Sequence, residues 1–223
     1  MDEKYTGASQ DRRYHGENIE VTYHRKRCIH ARECVKNLPA VFNTARRPWI
    51  LPEAGEPDAT ARVIWLCPSG ALHYYPKEQA LVEPTPSINS VVLLENSYLQ
   101  IRGNLKIIAS NVDILAETRV ALCRCGASQN KPFCDNSHRE KDFQTPLPET
   151  TADQHAAAAA DDGLLLIEIS PNGPIELCGN FEVRTESGEL VTRGTQEWLC
   201  RCGNSQNKPF CDNSHKRVGF VAP

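Results

Sequence analysis

Short runs of alternating apolar and polar residues cover much of the chain, and they predict a protein built mainly from short β-strands. In the first third of the chain, this alternation predicts strands at 19–23 and 72–75. Between them, apolar residues at helical spacing predict helices at 33–42 and 60–66. Residues 1–18 are polar and show no period, so we expect a flexible N-terminus. This part of the chain therefore predicts a small α+β domain at 19–84.

The rest of the chain repeats one pattern of short strands. Gly103-Asn104 is a good hairpin turn between two of them, and a Pro-rich and then Ala-rich stretch at 144–162 predicts a linker. The predicted strands before this linker are 91–94, 99–101, 105–108 and 120–122. Those after it are 164–169, 175–177, 181–183 and 197–199.

Two nearly identical segments follow the strands. CRCGASQNKPFCDNSH at 123–138 returns as CRCGNSQNKPFCDNSH at 200–215, with a difference only where Ala127 is replaced by Asn204. Each copy places three cysteines and one histidine in the order C-x-C-x8-C-x3-H, which is a metal-ligand set. The repeat extends upstream, because Arg102-Gly103-Asn104 aligns with Cys178-Gly179-Asn180. We expect the two copies to pack about a pseudo-two-fold axis, as a monomer with an internal pseudo-dimer.

The composition of the chain limits the functions and the kinds of site that we expect. The net charge of −3 gives no electrostatic case for nucleic-acid binding, and no apolar run is long enough to span a membrane. The N-terminus has no apolar core typical of a secretory signal, so we expect a cytoplasmic protein. Ten cysteines in a reducing compartment indicate metal sites rather than disulfides. Nine of them form three groups of three: Cys28, Cys34, Cys67; Cys123, Cys125, Cys134; Cys200, Cys202, Cys211.

Both repeated segments resemble the signature of the CDGSH iron-sulfur, or NEET, family, with Asn136 and Asn213 where the family has Gly. The resemblance implies a β-rich NEET-like core with repeats at 88–143 and 163–223, and a [2Fe-2S] cluster in each. The implied ligands are Cys123, Cys125, Cys134 and His138, then Cys200, Cys202, Cys211 and His215. Also matching are Ser128, Pro132 and Asp135 with their counterparts Ser205, Pro209 and Asp212. Asn tolerates the left-handed backbone that Gly adopts, so we expect the loop to be kept.

The spacing agrees with this resemblance. Cys-x-Cys places two thiolates on one side of an extended segment for one iron, and a cysteine four residues before a histidine suits a helical turn for the other. We expect Asp135 and Asp212 to cap that turn, and Lys131 and Lys208 to adjust the cluster's surroundings. With one imidazole ligand, we expect a reduction potential between those of all-cysteine and Rieske clusters. We also expect the potential and the retention of the cluster to depend on pH. Structural zinc in a Cys3His site is the simpler alternative.

A third ligand set lies near the N-terminus, where Cys28-Ile-His-Ala-Arg-Glu-Cys34 is followed much later by Cys67-Pro68. Together with CPSGAL and RRPWI, it resembles the divergent single-cluster 4Fe-4S ferredoxin domain, although Ala31 stands at the middle ligand position. Three cysteines suit a [3Fe-4S] cluster, and a [4Fe-4S] cluster would need a fourth ligand, for which His30 is the nearest candidate. The alternatives are a domain that has lost its cluster, and His30 as an ordinary surface histidine.

These expectations lead to three hypotheses for the function. The chain is predicted to be an electron-transfer protein with three clusters, and to work with redox partner proteins. A carrier or sensor that donates clusters to apo-acceptors is the alternative, and a zinc-stapled interaction module is the third. We see no catalytic constellation, so we expect no enzyme.

Overall fold

The computed structural model describes residues 4–77, 81–148 and 163–223. The chain divides into two compact units, one of residues 8–84 and one of residues 1–7 with 85–223. Most of the predicted linker at 144–162 lies outside the described residues. Within the described part of the chain, no helix has the length and apolar character to cross a membrane.

The unit of residues 8–84 has one antiparallel sheet with the strand order β1-β2-β3. The strands are β1 (Arg12–His15), β2 (Ile19–Tyr23) and β3 (Leu72–Pro76), and the helices are α1 (Glu33–Asn37) and α2 (Pro57–Trp65). Short 3-10 helices cover Ala8–Gln10, Arg25–Arg27 and Pro52–Ala54. The buried core of this unit consists of Tyr14, Val21, Val41, Phe42, Ile50, Ile64 and Leu72.

The structure differs from two of our expectations for this unit, once for a long-range reason and once for a local reason. We expected residues 1–18 to be flexible, but strand β1 lies within them. It is ordered because it pairs with β2 along its whole length. Helix α1 ends at Asn37 instead of reaching residue 42. The next residue, Leu38, precedes Pro39, and a residue before proline is pushed out of the helical region. Leu38 accordingly has φ −146° and ψ 68°.

The second unit has one six-stranded sheet in which the two repeats exchange strands. Its elements are β4 (Ser90–Leu93), β5 (Leu99–Ala109), β6 (Val112–Leu122), α3 (Ser137–Glu140), β7 (Leu165–Ile169), β8 (Ile175–Thr185), β9 (Leu190–Leu199) and α4 (Ser214–Arg217). Within each repeat the strands pair antiparallel. Between repeats, β4 pairs parallel with β8 and β7 pairs parallel with β5. The exchange is reciprocal, so each repeat completes the sheet of the other.

The hairpin predicted at Gly103-Asn104 is wrong, because β5 continues through it with a change of register. Gly103 has φ +156°, and a side chain there would come within 2.0 Å of the Asn89 carboxamide. Asn89 Oδ1 accepts the backbone N–H of Asn104 at 2.9 Å, so the group freed by the irregularity is still satisfied. The matching irregularity in β8 lies between Cys178 and Phe181, and it joins two strands that we predicted separately.

Both repeats contribute buried side chains to one apolar core, and most of these side chains come from the strands. Its fully buried members include Val91, Leu99, Ile101, Leu105, Ile107, Val120, Leu122, Leu165, Ile167, Ile175, Leu177, Val183 and Leu199. The last strand of each repeat, β6 or β9, leads from this core into a cysteine-rich segment. The core therefore fixes where each segment begins.

Candidate metal centres

The first two cysteines of each repeated segment lie together at the end of a long strand. Cys123 and Cys125 have their sulfurs 3.7 Å apart, and Cys200 and Cys202 have theirs 3.8 Å apart. A tetrahedral metal with metal–sulfur bonds of about 2.3 Å separates two sulfur ligands by about 3.8 Å. Each pair is therefore spaced for one metal ion.

The third cysteine and the histidine form a second pair across a helical turn. Cys134 Sγ lies 3.6 Å from Nδ1 of His138 on α3, and Cys211 Sγ lies 3.5 Å from Nδ1 of His215 on α4. With metal–nitrogen bonds of about 2.0 to 2.1 Å, a tetrahedral site requires a sulfur–nitrogen distance of about 3.5 Å. The structure thus brings together all eight predicted ligands as four pairs, two in each segment.

Hydrogen bonds inside each segment hold the turn that carries the histidine. Asp135 Oδ1 accepts the N–H of Ser137 at 3.0 Å, and its Oδ2 accepts the N–H of Gln129 at 2.8 Å. The helix begins after Asn136, which has φ +73°, the left-handed backbone that the sequence predicted. Burial acts to raise the pKa of Asp135, but the bonds from Ser137 and Gln129 outweigh it and lower that pKa. Asp135 therefore stays ionised while it holds the turn.

The second segment repeats these bonds. Asp212 accepts the N–H groups of Ser214 and Gln206, both at 2.9 Å, and Asn213 has φ +66°. The hydroxyls of Ser128 and Ser205 each donate to a carbonyl five residues later, at 2.7 Å in both segments.

Lys131 and Lys208 lie within these loops. Their ammonium groups donate to the carbonyls of Ser128 and Ser205, respectively. Each ammonium group is therefore held against the loop of its own segment.

The two segments also touch each other through glycine. Gly126 has φ +77°, and a Cβ there would lie 2.4 Å from the carbonyl oxygen of Cys202. Gly203 has φ +81°, and its Cβ would lie 2.5 Å from the carbonyl oxygen of Cys125. Since no side chain fits in either place, both glycines are required by backbone conformation and by space. The ligand pairs of the two segments are thus neighbours.

The arginine between the paired cysteines was not singled out in the sequence, although the repeated Cys-Arg-Cys is visible there. The Arg124 guanidinium is buried and donates from Nε to the carbonyl of Ser97 at 2.9 Å. Arg201 donates from Nε to the carbonyl of Gly173 at 2.9 Å. Burial lowers the pKa of each arginine to about 10, which still leaves both charged near neutral pH. They place a fixed positive charge beside the sulfur ligands.

The ligand side chains differ in how readily they bind a metal. Burial raises the pKa of the Cys134 thiol to about 12, whereas the hydrogen bond from Cys123 lowers that of Cys125 to about 6. Burial lowers the pKa of His138, so its ring is neutral near pH 7. A neutral imidazole can bind a cation directly, whereas the buried Cys134 thiol must first lose its proton, so metal binding releases protons.

The N-terminal cysteines meet in the other unit. Cys28, Cys34 and Cys67 line one cavity, and so does His30. His30 has φ +55°, and Arg32 two residues later has φ +66°, so the loop between the first two cysteines curves sharply.

Aromatic side chains form another wall of this N-terminal cavity. Tyr23 and Trp49 both line it, and their ring centroids are 4.8 Å apart in an edge-to-face arrangement. Burial raises the pKa of Cys34 to about 11. The three thiols therefore lie in a partly apolar, desolvated setting, which suits a cluster held by thiolates.

Comparison with known families agrees with this geometry. The family described as "Divergent 4Fe-4S mono-cluster" matches residues 14–77. The family described as "Iron-binding zinc finger CDGSH type" matches twice, at 96–139 and 172–216. The chain belongs to these two iron-binding families. It carries one divergent 4Fe-4S domain followed by two CDGSH repeats, and it is an iron-sulfur binding protein.

The chain is also similar to curated proteins. It is 41% identical over 61 residues to "Uncharacterized protein YjdI" of Escherichia coli (strain K12), covering 27% of this chain and 80% of that protein. The same figures hold for the protein of that name in Escherichia coli O157:H7.

Proposed function

We propose that the protein transfers electrons through two [2Fe-2S] clusters in the CDGSH repeats and one [3Fe-4S] or [4Fe-4S] cluster in the N-terminal unit. The contact between the two CDGSH segments at Gly126 and Gly203 carries the proposal. It brings the backbones of the two ligand loops into contact, and we propose that electrons pass between the two clusters across this contact. A storage protein has no need of that proximity.

Pairing of the ligands favours two irons over one zinc at each CDGSH repeat. A single zinc needs four donors around one point, and because the distances within each pair suit zinc and iron alike, the separation of the two pairs is what distinguishes them. Among the described residues, no three of the His, Cys, Asp and Glu side chains converge on the position of one metal ion. A zinc-stapled interaction module is therefore the weaker alternative.

The reciprocal pairing of strands supports a pseudo-two-fold core that is complete within one chain, and hence a monomer. We propose redox proteins as partners, in the cytoplasm, and neither nucleic acid nor membrane. The residues around the clusters are ligands and hydrogen-bond partners, so we propose no catalysis by the protein itself.

Chemical analysis and redox titration test this function together. Protein purified without air should contain iron and acid-labile sulfide in the ratio expected for three clusters, and visible bands that bleach reversibly on reduction. Colourless protein that contains zinc would contradict the proposal. Coloured protein with no reversible reduction would contradict the electron-transfer role and leave the cluster assignment.

The N-terminal cluster is assigned by electron paramagnetic resonance. A [3Fe-4S] cluster gives a signal when oxidised, whereas a [4Fe-4S] cluster gives one when reduced. His30→Ala should leave a [3Fe-4S] spectrum unchanged, and it should convert a His30-ligated [4Fe-4S] cluster to the three-iron form.

Cluster donation is the second candidate, because Cys211 and His215 border an open surface depression. Visible circular dichroism should show transfer to an apo-ferredoxin at mildly acid pH. Absence of transfer at every pH, or transfer unchanged by His138→Cys with His215→Cys, would contradict the carrier role.

A further inference from the structure

The two CDGSH segments are nearly identical in sequence, but their surroundings differ at four matching positions. Equivalent bonds identify the matches: Arg124 donates to the carbonyl of Ser97, and Arg201 donates to that of Gly173. Ser97 and Gly173 are therefore counterparts, and so are the residues that follow them. The four pairs are Ser97 and Gly173, Tyr98 and Pro174, Ala121 and Trp198, and Lys141 and Val218.

The first difference lies on the outer face of the histidine. Ser97 Oγ is 3.2 Å from His138 Nε2, the ring nitrogen that points away from Cys134. When Nδ1 faces a metal, Nε2 carries the proton and donates it to this hydroxyl. The Tyr98 ring packs beside the same imidazole, with 6.3 Å between centroids. Gly173 offers no hydroxyl to His215, and Pro174 offers no aromatic ring.

The second difference is a cation across the first segment. Lys141 Nζ donates to the carbonyl of Cys125 at 2.8 Å, which ties the residue after α3 to the paired cysteines. At the matching place in the second repeat, Val218 is half exposed and makes no such bond. The first segment is thus tied from the end of α3 to its paired cysteines, whereas in the second the matching carbonyl of Cys202 accepts from Asn204 Nδ2 at 2.8 Å, within its own loop.

The third difference is access to solvent. Cys134 is 3% exposed, whereas Cys211 is only partly buried. Beside Cys211 and His215 lies an open depression of about 600 Å³, with Trp198 in its wall. Trp198 is 42% exposed, while its counterpart Ala121 is 1% exposed. The second site is therefore more open to another molecule at Cys211 and Trp198, while His215, 8% exposed, is almost as buried as His138, which is 5% exposed.

From these differences we infer that the two CDGSH sites divide the work: the second site, at Cys211 and His215, exchanges its cluster with acceptors, and the first site, at Cys134 and His138, retains its cluster. This inference rests on the proposed binding of a [2Fe-2S] cluster at each site. Ser97 and Lys141 act as positioning residues for the first.

Exchange at the second site conserves electrons. Three iron–thiolate bonds and one iron–imidazole bond break, and four bonds form to an acceptor with four free thiols. The four acceptor thiols give up four protons, of which three go to the released cysteine sulfurs and the fourth to solvent, and no electron moves. The acceptor approaches from the open depression.

Two variants that each keep one CDGSH cluster separate the sites. Cys200→Ser with Cys202→Ser leaves the first cluster, and Cys123→Ser with Cys125→Ser leaves the second. Both retain the N-terminal cluster, so its absorbance is common to them. We expect loss of visible absorbance to excess iron chelator to be about tenfold faster for the second site, since the hydrogen bond to the histidine and the lysine bond across the segment are both found at the first site only. Wild-type protein should lose its CDGSH clusters in two phases.

Substitutions at the positioning residues test the cause. In the protein that keeps the first cluster, Ser97→Ala and Lys141→Val should each speed loss about threefold to fivefold. Ser97→Thr, which keeps a hydroxyl, should remain slow. Ser110→Ala, in the exposed turn between β5 and β6, is the matched control and should change nothing. In the other protein, Val218→Lys should slow loss, because it places at the matching position the side chain that donates to the Cys125 carbonyl in the first segment.

The outcomes are distinct. Equal loss rates from the two single-cluster proteins, both still coloured, would overturn the division of work and leave the proposed function standing. Absence of visible bands in the wild type would overturn the proposed function. Faster loss in Ser97→Ala with an unchanged thermal unfolding midpoint would confirm positioning, and equal acceleration in Ser97→Thr would overturn it.

Discussion

The N-terminal site and the CDGSH sites use the same ligand chemistry but are assembled in opposite ways. Each CDGSH site takes its four ligands from 16 consecutive residues, between Cys123 and His138 or between Cys200 and His215. The N-terminal site needs Cys67, which lies 33 residues after Cys34 and beyond α2. A contiguous segment sets its own geometry with local hydrogen bonds, whereas a dispersed site depends on the packing of its whole unit.

The largest expected effect comes from breaking the contact between the two CDGSH segments. Gly126→Ala forces an unfavourable φ and places Cβ 2.4 Å from the Cys202 carbonyl oxygen. We expect loss of cluster from both repeats, because the clash moves the backbone of both segments. Iron and sulfide content with visible absorbance measure this.

Gly188→Ala is the matched control for that change. Gly188 has φ +89°, but a Cβ there meets nothing within 4 Å. It should cost about 1 kcal/mol of stability through strain and leave both clusters bound. Equal iron loss in the two variants would show that strain, and not contact between segments, is responsible.

A cavity in the N-terminal core should affect only the dispersed site. Ile64 is fully buried on α2, between the cysteines at 34 and 67. Ile64→Ala should lower the free energy of unfolding of this unit by about 2 to 5 kcal/mol. We expect loss of the N-terminal cluster signal in electron paramagnetic resonance, while the visible bands of the CDGSH clusters persist.

The converse change provides the control. Ile107 is fully buried in the other core, within β5. Ile107→Ala should lower the stability of the CDGSH unit by a similar amount and leave the N-terminal signal. Loss of all three clusters in both variants would contradict the contrast between local and dispersed assembly.

A smaller effect should follow from loosening one local turn. Asp135→Ala removes the acceptor for the N–H groups of Ser137 and Gln129, as Asp212→Ala does for Ser214 and Gln206. Each change should lower the stability of its own turn and speed cluster loss from its own repeat only. Loss rates in chelator measure this. Equal acceleration at both repeats in either variant would contradict local control.

Local assembly also explains what could be predicted from the sequence. The CDGSH ligands, the left-handed Asn136 and Asn213, and the strand Ile19–Tyr23 follow from short-range spacing. Strand β1 and the continuous strand β5 could not be predicted, because each depends on a distant partner. Strand β1 needs β2, and the irregularity at Gly103 needs the side chain of Asn89.

The functional roles of several residues were hidden for the same reason. Lys141 and Ser97 lie outside the repeated motif, and only the fold brings them to Cys125 and His138. The strand exchange between repeats is equally invisible, since residues 90–93 pair with 182–185 across the predicted linker.

A further expected effect is a pH dependence confined to the N-terminal unit. Burial, reinforced by Arg27 and Lys26, lowers the pKa of His24 to about 4 from its usual 6.5. Between pH 4 and 6.5 the unfolded chain binds a proton at His24 that the folded unit does not. The stabilising contribution is therefore complete above pH 6.5 and is lost as the pH falls toward 4. His73 is the other titratable side chain facing His24, and it also disfavours the charged ring.

His24→Gln should flatten this dependence. Amide hydrogen exchange in β2 reports opening of this unit, and in the wild type its protection should fall as the pH decreases from 6.5 to 4 after correction for intrinsic rates. Exchange in β5, in the other unit, serves as the internal reference, since His24→Gln should leave it unchanged. A pH slope in β2 that persists in His24→Gln would assign the effect to another group of this unit.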